Sequence, residues 1–126
     1  MANPAVKGPG VLYVNSKIAA TDVLDEEKYI KWYEDDHIAE LMHTSGIKSA
    51  LRYKSIDPAA DKPYLVTYPM DDLAFTQGEE FKNIKVHSDM LPNGGPIYDL
   101  ADMDVRYYGL IQTYDPKGPT KEGGCF

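Results

Sequence analysis

Residues 47–68 read IKSALRYKSIDPAADKPYLVTY, two runs rich in aromatic and β-branched side chains on either side of a stretch full of turn formers. Proline fixes φ and aspartate bonds to its own backbone, so Asp57-Pro58-Ala59-Ala60-Asp61-Lys62-Pro63 should reverse the chain. A strand over 47–56 then folds back onto one over 64–68, placing a β-hairpin at the centre of the sequence.

Working outward, Gly46 just before the hairpin is a natural C′ residue for a helix, because glycine takes positive φ without steric cost. That helix should open at Asp25, a candidate N-cap followed by Glu26 and Glu27 in the positive first turn, with Leu24 placed to staple against Tyr29. Before it, residues 10–18, GVLYVNSKI, read as a first strand. After the hairpin, Thr76-Gln77-Gly78-Glu79 has capping-box spacing and should open a second helix to about residue 85, although Gly78 weakens its first turn. Residues 88–102 are loop-like, with Pro92, Asn93, Gly94, Gly95 and Pro96 in succession, and a last strand runs over 105–114 until Asp115-Pro116 stops it. The Gly/Pro-bearing tail 117–126 reads as an arm, and no repeat of solenoid period is present.

Strand, helix, hairpin, helix, strand is the order of the split βαβ motif. We therefore expect one α+β domain, ferredoxin-like βαββαβ, with a four-stranded antiparallel sheet, both helices on one face and a core spanning about 10–115. One helical layer leaves the other sheet face uncovered. Strands that mix Tyr, Val, Leu and Ile on both parities should bury that face against a second copy, giving a homodimer.

The 126 residues suit one domain, and 43% hydrophobic with 26% charged residues is ordinary for a globular chain. No run approaches a membrane span, and no secretory or transit pattern opens the sequence, so a soluble, cytoplasmic protein is expected. The single cysteine, Cys125, leaves neither an internal disulfide nor a thiolate metal site. Thirteen basic against 20 acidic residues, with the bases scattered, argue against nucleic acid. Ten tyrosines against three phenylalanines supply many rings with a hydroxyl, which suits a polar aromatic pocket as well as strand propensity.

On the first helix Ile30, Tyr33, His37 and Leu41 share one stripe at about 100° per residue, with Ile38 and Met42 at its edge and Trp32 pointing away. His37 therefore faces the sheet, either as a core residue satisfied by one partner or as a general acid/base tuned by burial. His87, in Val86-His87-Ser88-Asp89, is a second candidate or a surface loop histidine. His43 falls where a cation favours a helix C-terminus. The three histidines make no HxxxH or HExxH, so no metal is expected; GxGxxG, GxxxxGK[ST] and GxSxG are absent too. The neighbouring acids Asp35-Asp36 and Asp71-Asp72 diverge around a helix and read as surface or capping groups.

Trp32-Tyr33-Glu34-Asp35-Asp36-His37-Ile38, with Ser45-Gly46-Ile47, Ala50-Leu51-Arg52-Tyr53, Tyr98-Asp99-Leu100-Ala101-Asp102 and Arg106-Tyr107-Tyr108, resembles the EthD-like branch of the dimeric α/β-barrel superfamily, in the style of fungal secondary-metabolism proteins. The resemblance implies a dimer with a pocket between sheet and helices, as in polyketide cyclases and decarboxylases that need no cofactor. His37 matches the helix-one histidine, and His87 lies near the second histidine of the cyclases. On this basis we expect a cofactor-free lyase or cyclase acting on a polyketide-like or phenolic small molecule by decarboxylation, aldol-type ring closure or isomerisation. His37 would move the proton, and Tyr33, Tyr64 and Tyr68, with Asn15 and Tyr108, are the expected substrate contacts. The rivals are a haem or quinol monooxygenase of the same superfamily and a non-catalytic protein that holds a small molecule.

Overall fold

The computed structural model describes residues 5–114, which form an α+β fold: a four-stranded antiparallel sheet and one long helix. The strands are β1 (Gly10–Ile18), β2 (Leu51–Lys54), β3 (Tyr64–Met70) and β4 (Ala101–Gly109), in the order β2-β3-β1-β4. Central β1 pairs with β3 from Gly10↔Met70 to Ser16↔Tyr64, and along its whole length with β4. Side chains alternate across the pleat, so Leu12, Val14 and Ser16 of β1 and Val66, Tyr68 and Met70 of β3 turn to the helical side and are buried. Val11, Tyr13, Asn15 and Lys17 take the opposite face.

The long helix consists of α1 (Glu26–Trp32), a π segment (Tyr33–His37) and α2 (Ile38–Met42). It begins as expected: the Asp25 carboxylate accepts the Lys28 N–H at 2.8 Å, and Leu24 and Tyr29 are both buried. It ends differently. The backbone N–H and the hydroxyl of Thr44 both donate to the Leu41 carbonyl, which closes the last turn without a left-handed glycine. Gly46 has no positive φ, and its role is space: a Cβ there would stand 2.2 Å from the Phe75 ring.

The hairpin is present but β2 is short. Only Leu51↔Thr67 to Lys54↔Tyr64 pair, extended by a Ser55 N–H bond to Pro63, while Ile47 drops into the core instead of continuing the strand. β4 starts four residues before the expected 105 and ends at Gly109. Its bounds are set by its partner, since β1 offers a ladder from Ile18 to Gly10, followed only by one bond from the Leu110 N–H to the Pro9 carbonyl, whatever the β propensity of Leu110, Ile111 and Tyr114.

The second helix is reduced to a 3-10 turn (Leu73–Gln77) and a single α turn, α3 (Glu79–Lys82). Asp72 caps the 3-10 turn by accepting the Ala74 N–H, and the Thr76 hydroxyl bonds back to Leu73 instead of forming a capping box, so Gly78 divides two short pieces. The stop at Asp115-Pro116, the arm and Cys125 lie outside the described residues. Among the described residues no helix is long and apolar enough to cross a membrane.

Candidate functional site

The π segment shapes the site. The Ile38 N–H reaches back five residues to the Tyr33 carbonyl, a wider turn that shifts the two halves of the helix relative to each other. The face toward the sheet therefore carries Tyr29, Trp32, Tyr33 and Leu41, while Ile30 is only half-buried. Trp32, expected to point away, is 2% exposed. Its indole stacks on the His37 imidazole, centroids 4.8 Å and planes 13° apart, while Tyr33 meets the same imidazole edge-on at 5.5 Å.

His37, Tyr33 and Tyr68 line one cavity of about 490 Å³ between helix and sheet. Leu12 and Val14 of β1 with Met103 and Val105 of β4 form its floor, and Phe81, Ile84 and Val86 its roof. Three carboxylates hold that roof, Asp36 and Glu40 on the long helix and Glu80 on α3. Asp36 accepts the Ser88 hydroxyl, Glu40 accepts the Lys85 N–H at 3.3 Å, and Glu80 accepts both the N–H and the hydroxyl of Ser45, the latter at 2.6 Å. Exposed Tyr98, Tyr107 and Lys82 stand at the rim.

Two buried side-chain atoms have no hydrogen-bond partner among the described residues, His37 Nδ1 and Tyr68 Oη, and both residues line this cavity. A buried polar atom without a partner carries a desolvation cost of about 1–3 kcal/mol, which a ligand can remove. Burial pushes the His37 pKa down to about 4, opposed only by the charge of Asp36, so the imidazole is neutral at neutral pH. Burial likewise raises Tyr68 above the usual phenol range. It raises Tyr33 well above that range, with Tyr29 and Tyr68 beside it adding to the effect. The cavity thus offers a neutral imidazole and phenols that keep their protons.

The remaining sequence candidates fall elsewhere. Tyr64 donates at 2.6 Å to Glu26 and lines a separate cleft of about 270 Å³, on the other side of Tyr33, with Arg52 and Lys54. Asn15 is on the opposite sheet face, where its amide donates to the carbonyls of Lys62 and Tyr64, both at 2.9 Å. Tyr108 shares that face and meets the Tyr13 ring edge-on at 5.5 Å. Strand parity decides both cases, because β1 and β4 turn their even and odd residues, respectively, toward the cavity. His87 is exposed, between Val86 and Ser88, which turn inward. Trp32, Tyr98 and Tyr107 were not foreseen; parity with Met103 could have found Tyr107 once the β4 register was known.

A larger cavity of about 620 Å³ lies at one end of the sheet, walled by Pro9, Gly10, Gly46, Pro69, Gly109 and neighbours. Neither unpartnered polar atom borders it, and its cation and acid, Lys48 and Asp71, face each other at 3.8 Å. Among the described residues no three His, Cys, Asp or Glu side chains gather as a metal site.

No protein-family model matches the chain, and no solved structure matches it significantly. Among curated proteins, the chain is 27% identical over 109 residues to "Core atranone cluster (CAC) protein 1" of Stachybotrys chlorohalonatus. The match covers 85% of this chain but only 46% of that protein's length.

Proposed function

We propose that the protein is a cofactor-independent lyase or cyclase whose reaction takes place in the His37 cavity, on a polyketide-like or phenolic small molecule. The observation that carries this reading is that the two buried, unpartnered polar atoms, His37 Nδ1 and Tyr68 Oη, belong to residues that line the same cavity. A neutral imidazole can take a proton from carbon next to a carbonyl. The protonated phenols of Tyr68 and Tyr33 can donate to the enolate oxygen that develops. Decarboxylation, ring closure and isomerisation all pass through such an enolate. The name of the fungal relative, which places that protein in a core atranone cluster, supports a role in secondary metabolism.

The strand order β2-β3-β1-β4, with the long helix on one face, supports the ferredoxin-like assignment. The opposite face presents Tyr13, Leu51, Tyr53 and Tyr108, the last three about half exposed, beside the ion pairs Lys17–Asp61 and Arg106–Asp104. Apolar side chains flanked by both signs of charge suit an isologous contact, and we assign this face to a second copy. Light scattering should return a dimer mass, and Tyr53→Arg with Leu51→Arg should halve it; a monomer mass for the parent overturns the assignment.

The function is tested by incubating the protein with a panel of aromatic polyketide acids and poly-β-ketones and following products by mass spectrometry, beside His37→Ala. Product from the parent alone is expected. Full turnover by His37→Ala overturns the mechanism, and tight binding without product identifies a carrier.

A further inference from the structure

The acidic chain surrounds a cavity with no acid in it. The sequence holds 20 acidic and 13 basic residues, yet the walls of the His37 cavity include no carboxylate and one cation, Lys82. The nearby acids are held outside it. Asp36, next to His37, accepts the Ser88 hydroxyl; Glu40, next to Leu41, accepts the Lys85 N–H; Glu80, next to Phe81, accepts from Ser45. Lys82 itself makes no ion pair among the described residues, and it sits on α3 at the rim, where its ammonium can reach solvent or a bound molecule.

Deeper in the cavity the polar groups are donors or neutral. The Tyr68 hydroxyl has no acceptor, and burial keeps its proton in place. The His37 imidazole is uncharged and becomes easier to protonate when a negative charge comes near. A cleft lined by one sign of charge concentrates ligands of the other sign, here against the repulsion of a chain of formal net charge −7. We infer that the cavity selects an anionic aromatic ligand, an arene carboxylate or a phenolate, whose ring lies over Leu12 and Val14 and whose charge is met by Lys82 at the rim. This inference rests on the cavity being the ligand site; it adds the charge of the ligand and the residue that reads it.

The test uses the full chain with two probes of equal shape, 2-naphthoate and 2-naphthamide. Affinities are measured by calorimetry and the probe is located by NMR shifts of the His37 ring. Naphthoate should bind more tightly by roughly fivefold, the scale of one partly exposed ion pair. Lys82→Glu should remove that preference while leaving naphthamide binding within about twofold, and Lys82→Gln should fall between. Lys85→Glu, one turn of chain away and outside the lining, should keep the preference. If both probes move the His37 signals but Lys82→Glu retains the preference for naphthoate, the charge assignment is wrong and the cavity stands as the site. If neither probe moves the His37 signals, the cavity assignment itself fails.

Discussion

His37 lies flat against Trp32, the two ring planes 13° apart at 4.8 Å, with the indole behind the imidazole. Tyr33 and His37 would share a face of any α-helix, and the contact exists because the wider π turn brings Trp32, five residues before His37, round to that side as well. It fixes the plane of the imidazole without using either ring nitrogen, and so leaves Nδ1 unpartnered.

Removing that backing should release the imidazole and open a void. Trp32→Ala should destabilise the fold by about 3–5 kcal/mol, and Trp32→Phe, which keeps a flat ring, by clearly less. Urea denaturation checks both. In the folded Trp32→Phe variant, turnover should fall more than ligand affinity, since a rotated imidazole still borders the cavity but no longer points at the substrate.

The lowered His37 pKa makes stability depend on pH in a window of its own. The folded state holds the imidazole neutral down to about pH 4, whereas an unfolded histidine takes its proton near pH 6.5. Between these values the unfolded chain binds more protons, so stability rises with pH. Conversely, up to about 3 kcal/mol is lost as pH falls from about 6.5 to 4. The lowered carboxylates Glu26, Asp61, Asp72 and Asp104 act only further down, as pH falls below the ordinary carboxylate range. Denaturation at pH 7.5 and 4.5 should show the loss in the parent and a much smaller one in His37→Gln; an equal loss in both would refute the assignment to His37.

Tyr68→Phe separates a ligand-binding hydroxyl from a structural one. The Oη has no partner to lose, so the unliganded variant should be as stable as the parent or about 1 kcal/mol more stable. Turnover should fall by about two to three orders of magnitude if Tyr68 donates to the developing enolate, the scale of losing one such donor. A stability loss with unchanged turnover would give the hydroxyl a structural role.

Gly46→Ala tests the close approach at the end of the long helix. The added Cβ meets the Phe75 ring at 2.2 Å, and overpacking of this kind costs about 1–3 kcal/mol. Phe75→Leu in the same chain should recover part of the loss. A Gly46→Ala variant as stable as the parent would mean that the ring moves aside freely.

Much of the architecture follows from local sequence. Asp25 caps α1, the turn formers between residues 57 and 63 set the hairpin, and alternation along residues 10–18 makes β1 a two-faced strand, because caps, turns and pleats are decided by neighbours in the chain. His37 could likewise be placed toward the sheet from its spacing with Tyr33 and Leu41. Other features depend on contacts the sequence does not contain. The length of β4 is set by how much of β1 is left to pair, and the second helix breaks into pieces because Asp72 and Thr76 bond elsewhere. Gly46 serves the ring of a residue 29 positions away, so its helix-stop chemistry gave the wrong reason for its presence. Tyr64, Asn15 and Tyr108 are separated from the cavity by strand parity and by the Tyr33 ring, which only the paired register reveals. The π turn, the stacking of Trp32 on His37 and the two unpartnered atoms are properties of packing, where one wide turn satisfies its backbone bonds while changing which side chains face the sheet. The sequence by itself thus determined which residues could do chemistry, and the tertiary structure decided which of them share a space.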